Sequence, residues 1–178
     1  MSLNWPDQQP VLGEGPVVLR AWRPDDTQAV YEACQDEMLQ QFTTVPVPFE
    51  LEHAAEFIAT GMAAWQARSD AYFAIVDAED AVVGAITLMN VDAEARQAEI
   101  GYWVANWARG NHVARQAIAT LGEWAITRLD MDRITMKIQR ENVASIAAAL
   151  AAGAVPAGQT VDVEHRGQMI NLGVYELT

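Results

Sequence analysis

Between Ala71 and Leu129 the spacing of hydrophobic residues changes from a period of two to one of about 3.6, which restricts the folds open to the chain. Ala71 to Val76 and Ala81 to Val91 read as strands joined by the acidic turn Asp77 to Asp80, which makes a hairpin. A second turn, Asp92 to Ala95, leads into a third strand, Gln97 to Val104. Beyond it Ala114, Ala117, Ile118, Leu121, Trp124, Ala125 and Leu129 mark one face of a helix of about five turns. Three consecutive antiparallel strands followed by one long amphipathic helix predict a mixed α/β domain.

The flanking segments extend that pattern. Met1 to Pro16 carries prolines together with Gly13 and Gly15 and reads as an extended lead-in, so the domain proper is expected at 17–178. Val17 to Trp22 is a first strand, ended by Pro24, and Asp25 and Asp26 supply helix-start chemistry for a helix through Val30 and Ala33. Thr43 to Phe49, with Pro46 and Pro48, is a loop. Glu50 to Arg68 repeats Ala54, Phe57, Ile58, Met62 and Trp65 at helical spacing. Arg133 to Ile138 alternates as a strand, Asn142 caps an alanine-rich helix that stops at Gly153, and two strands follow, around Val161 and from Met169 to Leu177.

Composition bounds the function. Eleven basic against twenty-four acidic residues give a formal charge of −13, which argues against a nucleic-acid partner, since a polyphosphate needs a basic face. It favours cationic partners through long-range steering, or serves solubility alone. The single cysteine, Cys34, allows no internal disulfide and reads as a small core residue. Three scattered histidines without a His-Glu-x-x-His spacing make a metal site unexpected, and His53 reads as part of a solvated helix face. No stretch has the length of a membrane span and the N-terminus has no secretory pattern, so a soluble cytoplasmic protein is expected. A Gly-x-Ser-x-Gly elbow is missing as well, which leaves a serine hydrolase without support.

The chemistry is concentrated in Glu99 to Ala114, a strand, a short loop and the start of the long helix. Unpaired backbone N–H groups and the positive end of the helix dipole collect at such a start and welcome an anion. Arg109 adds charge and Gly110 permits close approach, although an ordinary connection with a surface arginine has the same appearance.

Arg109-Gly110-Asn111-His112-Val113-Ala114 resembles the acyl-CoA signature of the GNAT superfamily, an Arg or Gln, two residues, a Gly, one residue, then Gly or Ala. Ala98 to Val104, Glu141-Asn142-Val143-Ala144-Ser145 and Val18 to Pro24 are similar to the corresponding segments of its RimJ/RimL branch, the ribosomal-protein N-terminal acetyltransferases. The resemblance covers roughly Val17 to Thr178. It implies a central, mostly antiparallel sheet of about six to seven strands, splayed in the middle and flanked by about four helices. It also implies acetyl-CoA as co-substrate without a metal, and transfer of the acetyl group to a primary amine by direct attack. The acceptor would be a protein N-terminus or a small cationic amine, and the resemblance allows a homodimer. Residue by residue, Trp103 and Val104 would pair their backbone with the pantetheine arm, the N–H groups from Gly110 through Asn111, His112 and Val113 to Ala114 would hold the pyrophosphate, and Asn142 would touch the pantetheine. Ser145 would protonate the departing thiolate.

Two positions depart from the pattern. His112 stands where the family has Gly, and three readings compete: φ below zero, an imidazole contact to phosphate, or weakened cofactor binding; the first is expected. Ala154 stands where the branch has an aromatic residue. The attacking amine needs only to lose a proton, and Glu99, on one strand face with Gly101 and Trp103, is the first candidate base. Its alternative is an exposed strand carboxylate or an ion-pair partner. Glu164 is the second candidate, with Asp162 near it, and Trp107 is the best pocket wall among the tryptophans. The rival function is a degenerate member that binds acyl-CoA without turnover, as a sensor or partner-binding module.

Overall fold

The computed structural model describes residues 3–178. Its strands are β1 (Val18–Ala21), β2 (Ala71–Val76), β3 (Val82–Asp92), β4 (Gln97–Val104), β5 (Arg133–Gln139), β6 (Val155–His165) and β7 (Gln168–Leu177). Its helices are α1 (Thr27–Ala33), α2 (Glu37–Phe42), α3 (Leu51–Ala67), α4 (Val113–Thr127) and α5 (Val143–Ala151). One seven-stranded sheet runs in the order β1-β2-β3-β4-β5-β7-β6. Every neighbouring pair is antiparallel except β4 with β5, which are parallel. The mixed α/β class, the strand count and the mostly antiparallel order agree with the sequence reading, while five α-helices replace the expected four.

The additional helix is α2. It is six residues long, and it exists because Asp36 caps it: the Met38 N–H donates to Asp36 Oδ1 at 3.2 Å, and Thr43 Oγ1 donates back to the Leu39 carbonyl at 2.7 Å. Such a cap is worth about 1 kcal/mol. After it the chain runs through the Thr43–Phe49 loop, where the Val47–Pro48 bond is cis, to α3.

Alternation along the strands sorts side chains onto two faces. Phe73 and Ile75 of β2, Ile86 and Leu88 of β3 and Ile100 of β4 lie on one face and pack with Ala117, Ile118, Leu121 and Ala125 of α4. Ala74, Val76, Val82 and Ala85 lie on the other, under Val30, Ala54 and Ile58 of α1 and α3. Trp5 draws the lead-in onto the first face: it is buried, with its ring 4.9 Å from that of Trp65, which in turn stacks on Trp124 at 6.2 Å. The first two residues of the expected 1–16 lead-in lie outside the described residues. Cys34 is buried in the second cluster, and burial pushes its thiol up to about 12, so it behaves as an apolar side chain.

A buried ion pair fastens β1 to the following turn. Arg20 donates through Nη1 to Asp26 Oδ2 (2.8 Å) and through Nη2 to Asp26 Oδ1 (3.0 Å), while its Nε reaches Asp80 Oδ1 at 2.7 Å. Arg20 and Asp26 side chains are 7% and 9% exposed. Asp26 does not cap α1 through its side chain, as its position suggested, but also accepts the Arg23 N–H at 2.8 Å. The hydrogen bond to Asp26 raises the Arg20 pKa above its ordinary value, and the bonds from Arg20 and Arg23 lower that of Asp80.

Candidate functional site

The parallel pair is where the sheet opens. β4 and β5 are in register over Gln97↔Arg133, Ala98↔Ile134 and Glu99↔Thr135 only. From Ile100 to Val104, β4 stays paired with β3 on one edge, and among the described residues its other edge has no strand partner. Because the two strands are parallel, the chains leaving them start α4 and α5 at the same end of the opening. Both helices lie on the sheet face of Ile100, against each other. Convergence of strand ends and helix starts is the usual setting for ligands in α/β sheets.

Two side-chain pairs cross the opening, one on each face. On the face shared with Gly101 and Trp103, Glu99 Oε2 accepts from Lys137 Nζ of β5 at 2.6 Å and from Asn90 Nδ2 at 3.2 Å. Glu99 thus has the ion pair that was its alternative reading, and Lys137, a cation two residues beyond the last paired position, was not anticipated. On the opposite face Tyr102 reaches α5, where its hydroxyl is hydrogen-bonded to Ser145 Oγ and lies 3.2 Å from the Ser145 carbonyl oxygen. Burial raises the Tyr102 pKa above its ordinary value, and the bond to Ser145 partly offsets this.

Asn142 caps α5 as the sequence suggested, its Oδ1 accepting the Ser145 N–H at 3.1 Å. One side chain therefore fixes the first turn that carries Ser145. Asn142 and Ser145 are brought together, with Tyr102 beside them. The sequence signal for Tyr102 was its place in the alternation, on the inner face with Ile100, where a phenol needs a partner for its hydroxyl.

β4 continues through a short 3-10 turn, Asn106–Ala108, to the start of α4. Trp107 stands out of this turn, 51% exposed, and Gly110, Asn111 and His112 are exposed after it. The first intrahelical bond of α4 runs from the Gln116 N–H to the His112 carbonyl at 3.1 Å, so the N–H groups of Val113 and Ala114 precede the helical ladder. Gly110 has φ +83°, and a Cβ built there would meet nothing within 4 Å. The loop is therefore open to a bulky anion, and this donor set fits a phosphate.

His112 corrects one expectation. Its φ is +57° and ψ +18°, in the left-handed region, not below zero. The loop keeps the backbone a glycine would adopt, and histidine is among the few other residues that enter this region with some frequency. The imidazole lines a shallow cavity of about 400 Å³ with Glu14, Arg115 and Thr120. Arg109 turns away from this loop: its Nη2 lies 2.5 Å from Asp36 Oδ2, so the residue that caps α2 also holds the arginine.

Glu164 is placed elsewhere, exposed on β6, the outermost strand. Asp162, nearby on the same strand, accepts from Asn171 at 2.7 Å. Glu164 precedes the hairpin turn Arg166–Gly167, both of positive φ, where Arg166 donates to the carbonyls of Gln40 (2.7 Å) and Val45 (3.1 Å). The hairpin tip is thus tied to α2 and the loop after it. His53 accepts the Glu50 N–H on Nδ1 at 3.0 Å and caps α3 rather than standing free. Among the described residues no group of three or more His, Cys, Asp or Glu is placed to hold a metal ion, and no helix is long and apolar enough to cross a membrane.

The profile of the acetyltransferase (GNAT) domain matches residues 17–155. A Bacillus licheniformis protein, the uncharacterized N-acetyltransferase p20, is 31% identical over 81 residues, a match covering 46% of this chain and 46% of that protein. Many solved structures share the fold, two of them as follows. Mycobacterium smegmatis RimJ in complex with CoA-disulfide has a TM-score of 0.85 at 23% identity, over 99% of this chain and 90% of that one. RimL, the ribosomal L7/L12 alpha-N-protein acetyltransferase in complex with coenzyme A, has a TM-score of 0.85 at 19% identity, over 94% and 97%.

Proposed function

The chain belongs to the acetyltransferase (GNAT) family, and from that premise we propose that it moves an acetyl group from acetyl-CoA to a primary amine by direct attack in a ternary complex, without a covalent enzyme intermediate. The observation that carries this reading is the opening between β4 and β5, with the starts of α4 and α5 at its end.

In this reading the N–H groups from Gly110 through Asn111 and His112 to Val113 and Ala114 hold the pyrophosphate at the start of α4. The free edge of β4, through Trp103 and Val104, pairs with the pantetheine amides, and Asn142 lies beside them. Arg109 reaches a phosphate by giving up Asp36, its present partner, or else orients the loop from its present position. Glu99 and Ser145 stand on opposite faces of the sheet beside the opening, so the amine is deprotonated on one face while the thiolate leaves on the other. Glu99 is the base of choice, and its carboxylate needs the bond from Lys137 to loosen as the amine arrives. Glu164 serves as the second candidate, two residues from the Arg166 tether.

The acceptor class proposed is a protein N-terminus or a small cationic amine, and the site of action is the cytoplasm. The name of the RimL structure supports the former, and the formal charge of −13 supports any cation. A homodimer fits the same likeness and is decided by light scattering.

The test is calorimetric titration with acetyl-CoA beside free CoA, followed by turnover on peptides with free N-termini and on small polyamines. Saturable binding with 1:1 stoichiometry is expected. No saturable binding at millimolar acetyl-CoA refutes the cofactor site. Glu99→Gln should lower turnover by about 10²-fold with acetyl-CoA affinity unchanged; an unaltered rate removes Glu99 from the base role.

A further inference from the structure

We propose that Tyr102 is a positioning residue for Ser145, holding its hydroxyl so that the proton points at the leaving sulfur. The inference rests on the reading of Ser145 as the group that protonates the thiolate. It goes beyond that reading by assigning the orientation to a side chain of β4 that reaches α5 across the sheet opening.

Ser145 Oγ and the Tyr102 hydroxyl carry one proton each, and the Ser145 carbonyl adds an acceptor within 3.2 Å of the phenol. Two arrangements satisfy the cluster. In one, the phenol donates to the carbonyl and the serine donates to the phenol, which spends the serine proton. In the other, the phenol donates to Ser145 Oγ and leaves the serine proton free. A thiolate beside Ser145 selects the second arrangement, because only that one offers it a donor. Burial keeps Tyr102 protonated well above neutral pH, so it remains a donor while Ser145 gives up its hydrogen. No other side chain is recorded in a hydrogen bond to Ser145 Oγ among the described residues. The backbone N–H of Ser145 is already given to Asn142, so the helix start fixes where Oγ sits and Tyr102 fixes where its proton points.

The amine nitrogen forms a bond to the thioester carbonyl carbon, the C–S bond breaks with its electron pair on sulfur, and the Ser145 proton moves to sulfur. As the Ser145 proton leaves, the phenol, a stronger acid than an alkyl hydroxyl, passes its proton to the seryl oxygen along their hydrogen bond, and water returns a proton to Tyr102. The proton lost by the amine leaves through Glu99 or water on the other face.

The experiment needs no acceptor: titrate the thiol of bound CoA by its ultraviolet thiolate absorbance in the parent, Tyr102→Phe, Ser145→Ala and the double variant, with calorimetric affinity and melting temperature measured for each. Hydrogen bonds to a charged group justify an expected rise of about one pH unit in the bound-thiol pKa for Ser145→Ala. Tyr102→Phe should give a smaller rise in the same direction, and none on the Ser145→Ala background. A shift for Ser145→Ala with none for Tyr102→Phe overturns the positioning role and leaves the serine reading standing. Absence of a shift for Ser145→Ala removes the serine reading and the proposal with it. Equal Tyr102→Phe shifts on both backgrounds show that the phenol acts on its own, which also overturns the proposal. Melting temperatures that match the parent within a few degrees assign these outcomes to the site.

Discussion

Asp26→Asn tests the internal logic of the fold most severely. In the parent the Asp26 carboxylate accepts two hydrogen bonds from Arg20 and one from the Arg23 N–H, in surroundings where both side chains are below a tenth exposed. The amide removes the negative charge and turns one acceptor into a donor facing the guanidinium. Breaking a buried pair from one side costs about 3–5 kcal/mol because the remaining charge is left uncompensated. Arg20 keeps its bond to Asp80, whose side chain is half exposed, so the lower end, about 3 kcal/mol, applies. With an unfolding entropy of about 2.1 cal/mol/K per residue, that loss lowers the melting temperature of this chain of 178 residues by roughly 8 °C. The control is Arg20→Met with Asp26→Leu, which removes both charges and keeps the volume. It should lose only about 1 kcal/mol, the cost of leaving the Arg23 N–H without its acceptor. Urea unfolding of the three proteins at neutral pH measures both values. A single variant within 1 kcal/mol of the parent, or a double variant less stable than the single one, refutes the reasoning.

Three further outcomes are expected. Asp80 has its pKa lowered by Arg20 and Arg23, so the stability it adds is complete above its ordinary value of 3.8 and is lost as pH falls through the lower folded value. The urea midpoint of Asp80→Asn should therefore lie below that of the parent at pH 7 and converge with it in acid; a constant gap contradicts the assignment. Gly84→Ala puts a Cβ 2.5 Å from the Trp103 carbonyl oxygen, a backbone atom of β4, and should cost about 1–3 kcal/mol by thermal melting, more than Gly101→Ala, whose Cβ meets only the mobile end of Met89. His112→Gly relieves a left-handed residue, worth about 1–2 kcal/mol, against about 0.5–1 kcal/mol of added chain entropy. It should melt at or slightly above the parent, and a lower melting temperature would show that the imidazole makes a contact that matters.

The elements that could be read from the sequence are those with a clean period. The hairpin at Asp77–Asp80, the third strand and the long helix all fall within a few residues of their observed bounds, because one face of each meets a buried layer. β6 is legible only around Val161 although it begins at Val155, since exposure alternates from Thr160 to His165 but not over the residues before. α2 is not legible in the sequence because six residues make fewer than two helical turns, and its cap, Asp36, has the same chemistry as any turn residue. In the site, local motifs located the helix starts and Asn142. The partners were not local: Lys137 meets Glu99 across 38 residues, Tyr102 meets Ser145 across 43, and Arg109 meets an aspartate on the far side of two helices and three strands in the chain order. The positive φ of His112 is not legible in its residue type, because the surrounding loop imposes the backbone angle.

The opening between β4 and β5 has a kinetic consequence. Glu99 and Ser145 sit on opposite faces of one sheet, so in the proposed reaction the acceptor and the nucleotide-bearing donor arrive by separate routes. Neither has to leave for the other to enter. Spent CoA should then compete with acetyl-CoA without competing with the amine, and the acetylated product should compete with the amine without displacing CoA. A chain of this kind behaves as a doorway with traffic from both sides, and its initial-rate plots should intersect instead of running parallel.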